Sequence, residues 1–222
     1  MSEQIRQDFD CLARLSVDDW DHNSHYHSWL LRHVPAGCER ALDVGCGTGV
    51  FARALAGRCR QVMGVDLSSE MIAVAQQRST GFPDLTYVVQ DVLAGGLEAD
   101  AYDCITSIAT LHHLPLEAAL HLFRRALRPG GVLLVLDLYR PAGLGDFVLD
   151  LAAAPVGVVL RLAKTGRLRY APEVRRAWAA HARHDHYASI QEIRAACSRV
   201  LPGAAIRRHL LWRYSLIWRK PC

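Results

Sequence analysis

Apolar runs of about three to seven residues, most of them closing on an acid, recur along the first two thirds of the chain. They are Ala41-Leu42-Asp43, Arg60 to Asp66, Leu85 to Asp91, Tyr102 to Ile108 and Val132 to Asp137. Near-continuous apolar runs of this kind suit parallel strands covered on both faces. Helix-favouring sequence separates them, from Val50 to Leu55, after Ser68 and from Leu116 to Leu127. The alternation predicts an α/β fold with five parallel strands.

The flanks carry different patterns. Residues 1–35 read as helical, with Trp20, Tyr26, Trp29, Leu30 and Leu31 on an apolar face. Residues 144–163 are strongly apolar, but Asp146, Asp150, Pro155, Gly157 and Arg161 interrupt them. A membrane span needs ~20 predominantly apolar residues, so a broken amphipathic helix is predicted instead. Pro172 opens a helix over 172–183, a position where its missing N–H costs nothing. Ser189 and Glu192 have the spacing of a capping box for a helix running to Val200, and Pro202-Gly203 ends it. Two strands follow, over 204–210 and 213–219, although Leu211-Trp212 lacks the Asn-Gly chemistry of a tight hairpin.

Candidate chemistry concentrates where the first run ends. Asp43-Val-Gly45-Cys46-Gly47-Thr-Gly49 leads directly into helical sequence, giving strand, tight turn and helix. Glycine lets such a loop take positive φ and lets a ligand approach its backbone. The spacing is G-x-G-x-G, whereas a dinucleotide-binding loop is G-x-G-x-x-G. Asp43 would repel a pyrophosphate and suits a ligand carrying an ammonium group, though it could equally serve loop N–H groups. Asp66, at the end of the second run, is placed to accept both hydroxyls of a ribose. Asp91, at the end of the third, could accept from an exocyclic amine, with Leu67 and Val92 offering apolar faces to a base.

Composition narrows the class. With 222 residues, 51% hydrophobic and 22% charged, the chain suits one globular domain. A net charge of +4 without a dense basic run argues against a nucleic-acid groove. Seven cysteines with no C-x-x-C pair predict reduced thiols and a cytoplasmic setting. The opening Met-Ser-Glu-Gln has no signal-peptide character. His22, His25 and His27 lack Cys or carboxylate companions at ligand spacing, so no metal is expected.

Taken together and in order, Asp-Val-Gly-Cys-Gly-Thr-Gly, Val-Asp-Leu-Ser, Gln-Asp-Val, Leu-His-His-Leu and Leu-Arg-Pro-Gly-Gly-Val-Leu resemble the successive motifs of class I S-adenosylmethionine-dependent methyltransferases. The resemblance covers roughly residues 38–140. It implies a Rossmann-like, seven-stranded, mostly parallel sheet with an antiparallel C-terminal strand, helices on both faces and a helical lid. It implies that Gly45, Cys46, Gly47 and Gly49 hold the methionine part of S-adenosylmethionine, with Asp66 at the ribose. Leu67 and Val92 would flank the adenine, Asp91 would meet its amine, Ser107 and Ile108 would lie near the sulfonium, and Met71 would be a further cofactor-binding residue. Residues 1–35 would form a flap bringing Tyr26 to the ligand, 36–140 the cofactor-binding core, 141–187 a lid insertion, and 188–222 the closing helix and strand pair.

His112, His113 and His184 are the candidate catalytic residues, since histidine titrates near neutrality; for the pair at 112–113 structural support is the favoured role and base catalysis the alternative. The implied activity is methyl transfer to a small hydrophobic or aromatic acceptor at O, N or C, yielding S-adenosylhomocysteine, as in enzymes of bacterial secondary metabolism. A homodimer is compatible with the apolar flanks. The alternatives are a non-catalytic or non-methylating cofactor binder, and a nicotinamide-dependent oxidoreductase, which would share the fold start and the acid after the second strand but would want G-x-G-x-x-G.

Overall fold

The computed structural model describes residues 3–15, 21–142 and 144–222, leaving aside the side chains of 144–152 and 154. Trp20 and the side chains of Asp146 and Asp150 lie outside the described residues. Seven strands form one sheet: β1 (Arg40–Val44), β2 (Gln61–Asp66), β3 (Leu85–Val89), β4 (Tyr102–Ile108), β5 (Leu127–Leu138), β6 (Ala205–His209) and β7 (Arg213–Arg219). Their order is β3-β2-β1-β4-β5-β7-β6. Strands β1 to β5 run parallel, and β7 is antiparallel to both β5 and β6.

Strand β5 shows why the apolar runs are continuous. Side chains alternate between faces along a strand, so Leu133 and Val135 enter one core while Val132, Leu134 and Leu136 enter the other. Helices α6 (Leu116–Ala126) and α9 (Ile190–Val200) cover the first face through Leu120, Phe123, Ile193 and Val200. Helices α2 (Ser24–Leu31), α3 (Val50–Ala56) and α4 (Ser69–Gln77) cover the second through Leu30, Phe51, Leu55 and Ile72. The expected capping box forms, with Ser189 and Glu192 bonding each other's backbone N–H.

Two expectations need correction, and the C-terminal strand pair forms as expected. Strand β5 begins at Leu127 rather than Val132, because Arg128 to Gly131 stay in the sheet across a register shift opposite Tyr102–Cys104. The segment after it is one helix, α7 (Leu144–Thr165), which carries Pro155 internally instead of breaking there; proline removes a single N–H from a long ladder. The β6–β7 turn forms without glycine, with Leu211 at φ 61 and Trp212 at φ 59.

The strand order reverses between β1 and β4, so a crevice opens at their C-terminal ends, where open parallel sheets bind ligands. Helices α1 (Glu3–Arg14) and α8 (Pro172–His181), from opposite ends of the sequence, pack together over it.

Candidate active site

The floor of the crevice is the glycine loop. The N–H groups of Gly45 and Cys46 both donate to the Val65 carbonyl, at 2.8 and 3.1 Å, which ties the loop to β2. Gly45 has φ +70 and faces Thr110 so closely that a Cβ would stand 2.1 Å from its Oγ1. Gly47, at φ +51, has nothing within 4 Å where a Cβ would be, and it lines a cavity of about 480 Å³. One glycine therefore permits packing, and the other leaves open backbone facing a ligand-sized space.

Two carboxyls stand at this loop, Asp43 buried and Asp66 half-buried. Asp43 accepts from Thr106 Oγ1 at 2.6 Å, and burial, with the neighbouring Asp66 adding to it, raises its pKa to about 7 against the pull of that bond. Asp66 is also pushed up by burial, while its backbone hydrogen bonds pull it down. Its Oδ2 accepts from Gly47 N–H and its Oδ1 from Ser68 N–H, both at 2.9 Å. Each carboxylate oxygen offers about two acceptor positions, so a diol can still bind. Leu67, Met71, Val92 and Ile108 line the same cavity, as does Gln90.

Several expected residues lie elsewhere. Tyr26 is turned away from the cavity and donates its hydroxyl to the Leu210 carbonyl at 2.7 Å, so it braces the β6–β7 turn. Asp91 caps the short helix α5 (Val92–Gly95), accepting from Leu93 and Ala94 N–H, and is not in the cavity wall. Ser107 is fully buried behind the wall, and Gly49 caps α3. His184 is half exposed, its Nδ1 3.5 Å from Asp8 Oδ2, away from the cavity. His22, His25 and His27 diverge toward Trp212, Tyr26 and Phe51, and His22 and His27 reach the cavity.

Across from the loop, the turn after β4 meets the end of β5. His112 contacts Asp137 twice: its backbone N–H donates to Oδ2 at 2.8 Å, and ring Nδ1 lies 2.6 Å from Oδ1. A carboxylate only accepts, so Nδ1 carries the proton and Nε2 is left with a lone pair. Burial alone would lower the His112 pKa, but the charge and hydrogen bond of Asp137 overturn it and the net shift is upward.

His113 stacks on His112 at 3.9 Å between centroids and is driven down to about 3, by burial and then by the charge of His112. Beyond it, Tyr187 donates to Asp185 at 2.5 Å, and His181 bridges Asp185 and Asp8 at 3.4 and 3.2 Å. One donor atom from each of His112, His113 and Asp185 lies within 4.8 Å of the others, close enough for a cation to touch all three. His112 donates to Asp137 and Tyr187 to Asp185 Oδ2, while His113 Nε2 and Asp185 Oδ1 have no hydrogen-bond partner among the described residues. Phe9 of α1 closes the cluster edge-on to His113 and His181.

Asp137, Asp185, His181, Phe9 and Arg213 were not singled out as site residues from the sequence. Asp137 carried a usable signal, since it ends a strand as Asp43 and Asp66 do. The others come from the two ends of the chain, far in sequence from the glycine loop, and their approach depends on the tertiary fold.

A family model described as a methyltransferase domain matches residues 42–135. An uncharacterized methyltransferase of Mycobacterium tuberculosis is 31% identical over 91% of this chain and 98% of its own length. The chain belongs to the class I S-adenosylmethionine-dependent methyltransferases. A ubiquinone biosynthesis O-methyltransferase of Chromobacterium violaceum is 30% identical over 64% of this methyltransferase and 67% of its own chain. Among solved structures, the N-methyltransferase NodS from Bradyrhizobium japonicum in complex with S-adenosylhomocysteine covers 97% of this chain and 99% of its own at a TM-score of 0.64 and 20% identity, which bears on the fold. The cofactor is S-adenosylmethionine, and the residues at the crevice fit it. The open backbone of Gly47, the buried carboxyl of Asp43 and the half-buried carboxyl of Asp66 suit a ligand that bears an ammonium group, a sulfonium and a ribose diol. Among the described residues, no helix is long and apolar enough to cross a membrane.

Proposed function

We propose that this methyltransferase acts on a small acceptor with an aromatic or apolar body and a proton-bearing reacting atom, and that His112 removes that proton. The observation that carries the reading is the His112–Asp137 pair: Nδ1 is committed to Asp137, which leaves Nε2 the lone pair, and His112 is among the residues lining the cavity. The similarity to ubiquinone biosynthesis O-methyltransferases supports a hydroxyl as the reacting group.

Asp66 is the group suited to the ribose, and Leu67, Met71 and Val92 to the adenine, leaving the Gly45–Gly47 loop and Asp43 to the methionine part. When bound, S-adenosylmethionine supplies a methyl group already made electrophilic by its sulfonium. The protein's contribution is to align the acceptor, exclude water and take up the proton. Phe9, Trp178 and Leu138 give the acceptor space its apolar walls. The described part of residues 1–35 serves as a flap and residues 141–187 as a lid, with α1 and α8 meeting above the crevice. As His112 Nε2 accepts the proton, the imidazolium is held by Asp137, the same carboxylate that fixes the tautomer beforehand.

An acceptor screen over phenols and other activated hydroxyls, followed by Asp137→Asn on the best acceptor, tests this. Loss of base catalysis is expected to lower kcat about 10²- to 10⁴-fold, with S-adenosylhomocysteine affinity retained. An Asp137→Asn enzyme with unchanged kcat on a hydroxyl acceptor would remove His112 from the reaction.

A further inference from the structure

Arg213 opens β7 opposite Leu138 of β5, one residue beyond the Asp137 register position, and it lines the cavity. Its side chain is buried, with the residue 8% exposed. The guanidinium has two protein acceptors, both neutral: Nε donates to Asn23 Oδ1 at 2.6 Å and Nη1 to the Leu211 carbonyl at 3.0 Å. Among the described residues no carboxylate lies within 4 Å of it, and Nη2 has no acceptor. Buried charges are ordinarily paired, because an unpaired one carries an uncompensated desolvation cost.

The surroundings hold this group in place. Leu211 and Trp212 adopt left-handed backbone conformations, and Leu211 is fully buried. Tyr26 fixes the Leu210 carbonyl and Arg213 itself fixes that of Leu211. Asn23, which accepts from Nε, is anchored in turn by donating to Asp21 at 2.8 Å. Strained backbone persists where its surroundings over-determine it, and it clusters at ligand sites. The remaining donors of Arg213 are therefore held toward the cavity at the dyad's end, with Asp137 and Asp21 as the charged groups around them.

We infer that Arg213 is the anion-recognition residue of the acceptor site, and that the acceptor carries a carboxylate as well as its reacting atom. Two oxygens of a planar carboxylate match the Nη edge of a guanidinium, and the negative charge supplies the partner the protein omits. The inference rests on the acceptor site proposed above. The methionine carboxylate of the cofactor shares this chemistry, so the test separates the two sources.

The protein loaded with S-adenosylhomocysteine is screened by ligand-observed NMR against matched pairs of small aromatic and acyl carboxylates and their carboxamides. The same screen is run on Arg213→Met, which removes the charge, and Arg213→Lys, which keeps it. Carboxylates are expected to dominate the hits on the wild type and to weaken about 10- to 100-fold in Arg213→Met, the loss of charge-assisted hydrogen bonds, while Arg213→Lys retains part of the preference. S-adenosylhomocysteine affinity, measured by calorimetry, should stay within about threefold, well under the tenfold that 1.4 kcal/mol represents. Equal hits from acids and amides, no acid hits, or acid hits that survive in Arg213→Met overturn the inference. Loss of S-adenosylhomocysteine binding in the variants overturns it in favour of the cofactor's carboxylate. If Arg213→Met does not fold by circular dichroism, Arg213→Gln takes its place. The screen reads binding only, so a failure of the His112 base, seen as an active Asp137→Asn enzyme, is a separate result.

Discussion

His112 and Asp137 lie 25 positions apart in the chain, and the fold brings ring Nδ1 to 2.6 Å from carboxylate Oδ1. The ring is nearly sealed and the carboxylate wholly so, at 5% and 0% side-chain exposure. A base must be neutral to act, and this one has its pKa raised by Asp137 against the opposing effect of burial. Asp185, Arg213, His113 and Tyr187 also bear on the pair. The rate is therefore expected to rise with pH through an inflection above the ordinary histidine range, near 6.5. Asp137→Asn should move that inflection downward as well as lower the plateau. A pH–kcat profile indifferent to the substitution would separate the dyad from proton transfer.

Asp43 predicts a proton linked to cofactor binding. Burial, reinforced by Asp66, puts its pKa at about 7, so the ligand-free protein holds it part-protonated near neutrality. A cationic ligand favours the charged form, so binding should release a fraction of a proton and tighten as pH rises through 7. The same raised value means that Asp43 contributes stability to the ligand-free fold at acid pH and loses it as pH climbs through that range. Calorimetry of S-adenosylmethionine binding in buffers of different ionisation enthalpy measures the release. Asp43→Asn should abolish both it and the pH dependence, and a wild-type affinity flat from pH 6 to 8 would contradict the assignment.

The first two loop glycines should fail in different ways. Gly45→Ala places a methyl 2.1 Å from Thr110 Oγ1 at φ +70, combining overpacking with backbone strain at a cost of about 2–5 kcal/mol. Gly47→Ala meets open space and incurs only the left-handed backbone penalty of about 1–2 kcal/mol, but it puts a methyl where the ligand approaches. Urea titration should register the first and S-adenosylhomocysteine titration the second. Equal stability losses with equal residual affinity would show that the loop does not divide its work this way.

Chelation tests the cluster beyond His112. His112 Nδ1 is held by Asp137 and Asp185 Oδ2 by Tyr187, while Asp185 Oδ1 and His113 Nε2 have no hydrogen-bond partner among the described residues. With His112 acting as the base, prolonged EDTA treatment and desalting should leave the methylation rate unchanged. Activity lost on chelation and restored by one divalent ion would instead make His112, His113 and Asp185 a metal site.

The cofactor side of the crevice was largely legible in the sequence, because its signals are local. Gly45 and Gly47 sit in one turn, Asp66 ends one strand, and Ser68 caps the next helix, accepting from Met71 N–H at 3.1 Å. Such features need only a few neighbouring residues to be recognised. Asp91 illustrates the limit: its strand-end position was read from the sequence, but its carboxylate satisfies two N–H groups of α5 rather than facing the cavity. Tyr26 looked like a flap residue because of its polar, aromatic neighbours, yet its partner, the Leu210 carbonyl, lies 184 positions away. The acceptor side depends on pairings of that length, such as Arg213 with Asn23 and His181 with Asp8. No local pattern announces them.

The way α1 meets α8, and Asn23 meets Arg213, also bears on how such an enzyme changes its substrate over time. The glycine loop, Asp66 and the dyad of His112 and Asp137 come from the central part of the chain, while Phe9, Asn23, Trp178, His181 and Arg213 at the same cavity are drawn from both extremities. Recombination that imported a new C-terminal third alone would orphan Asp8, Asn23 and Tyr26 at once, each of which pairs with a residue beyond position 180. The two extremities therefore form a single heritable unit. Chimeras with relatives should exchange acceptors only when both ends are transplanted together around an untouched middle.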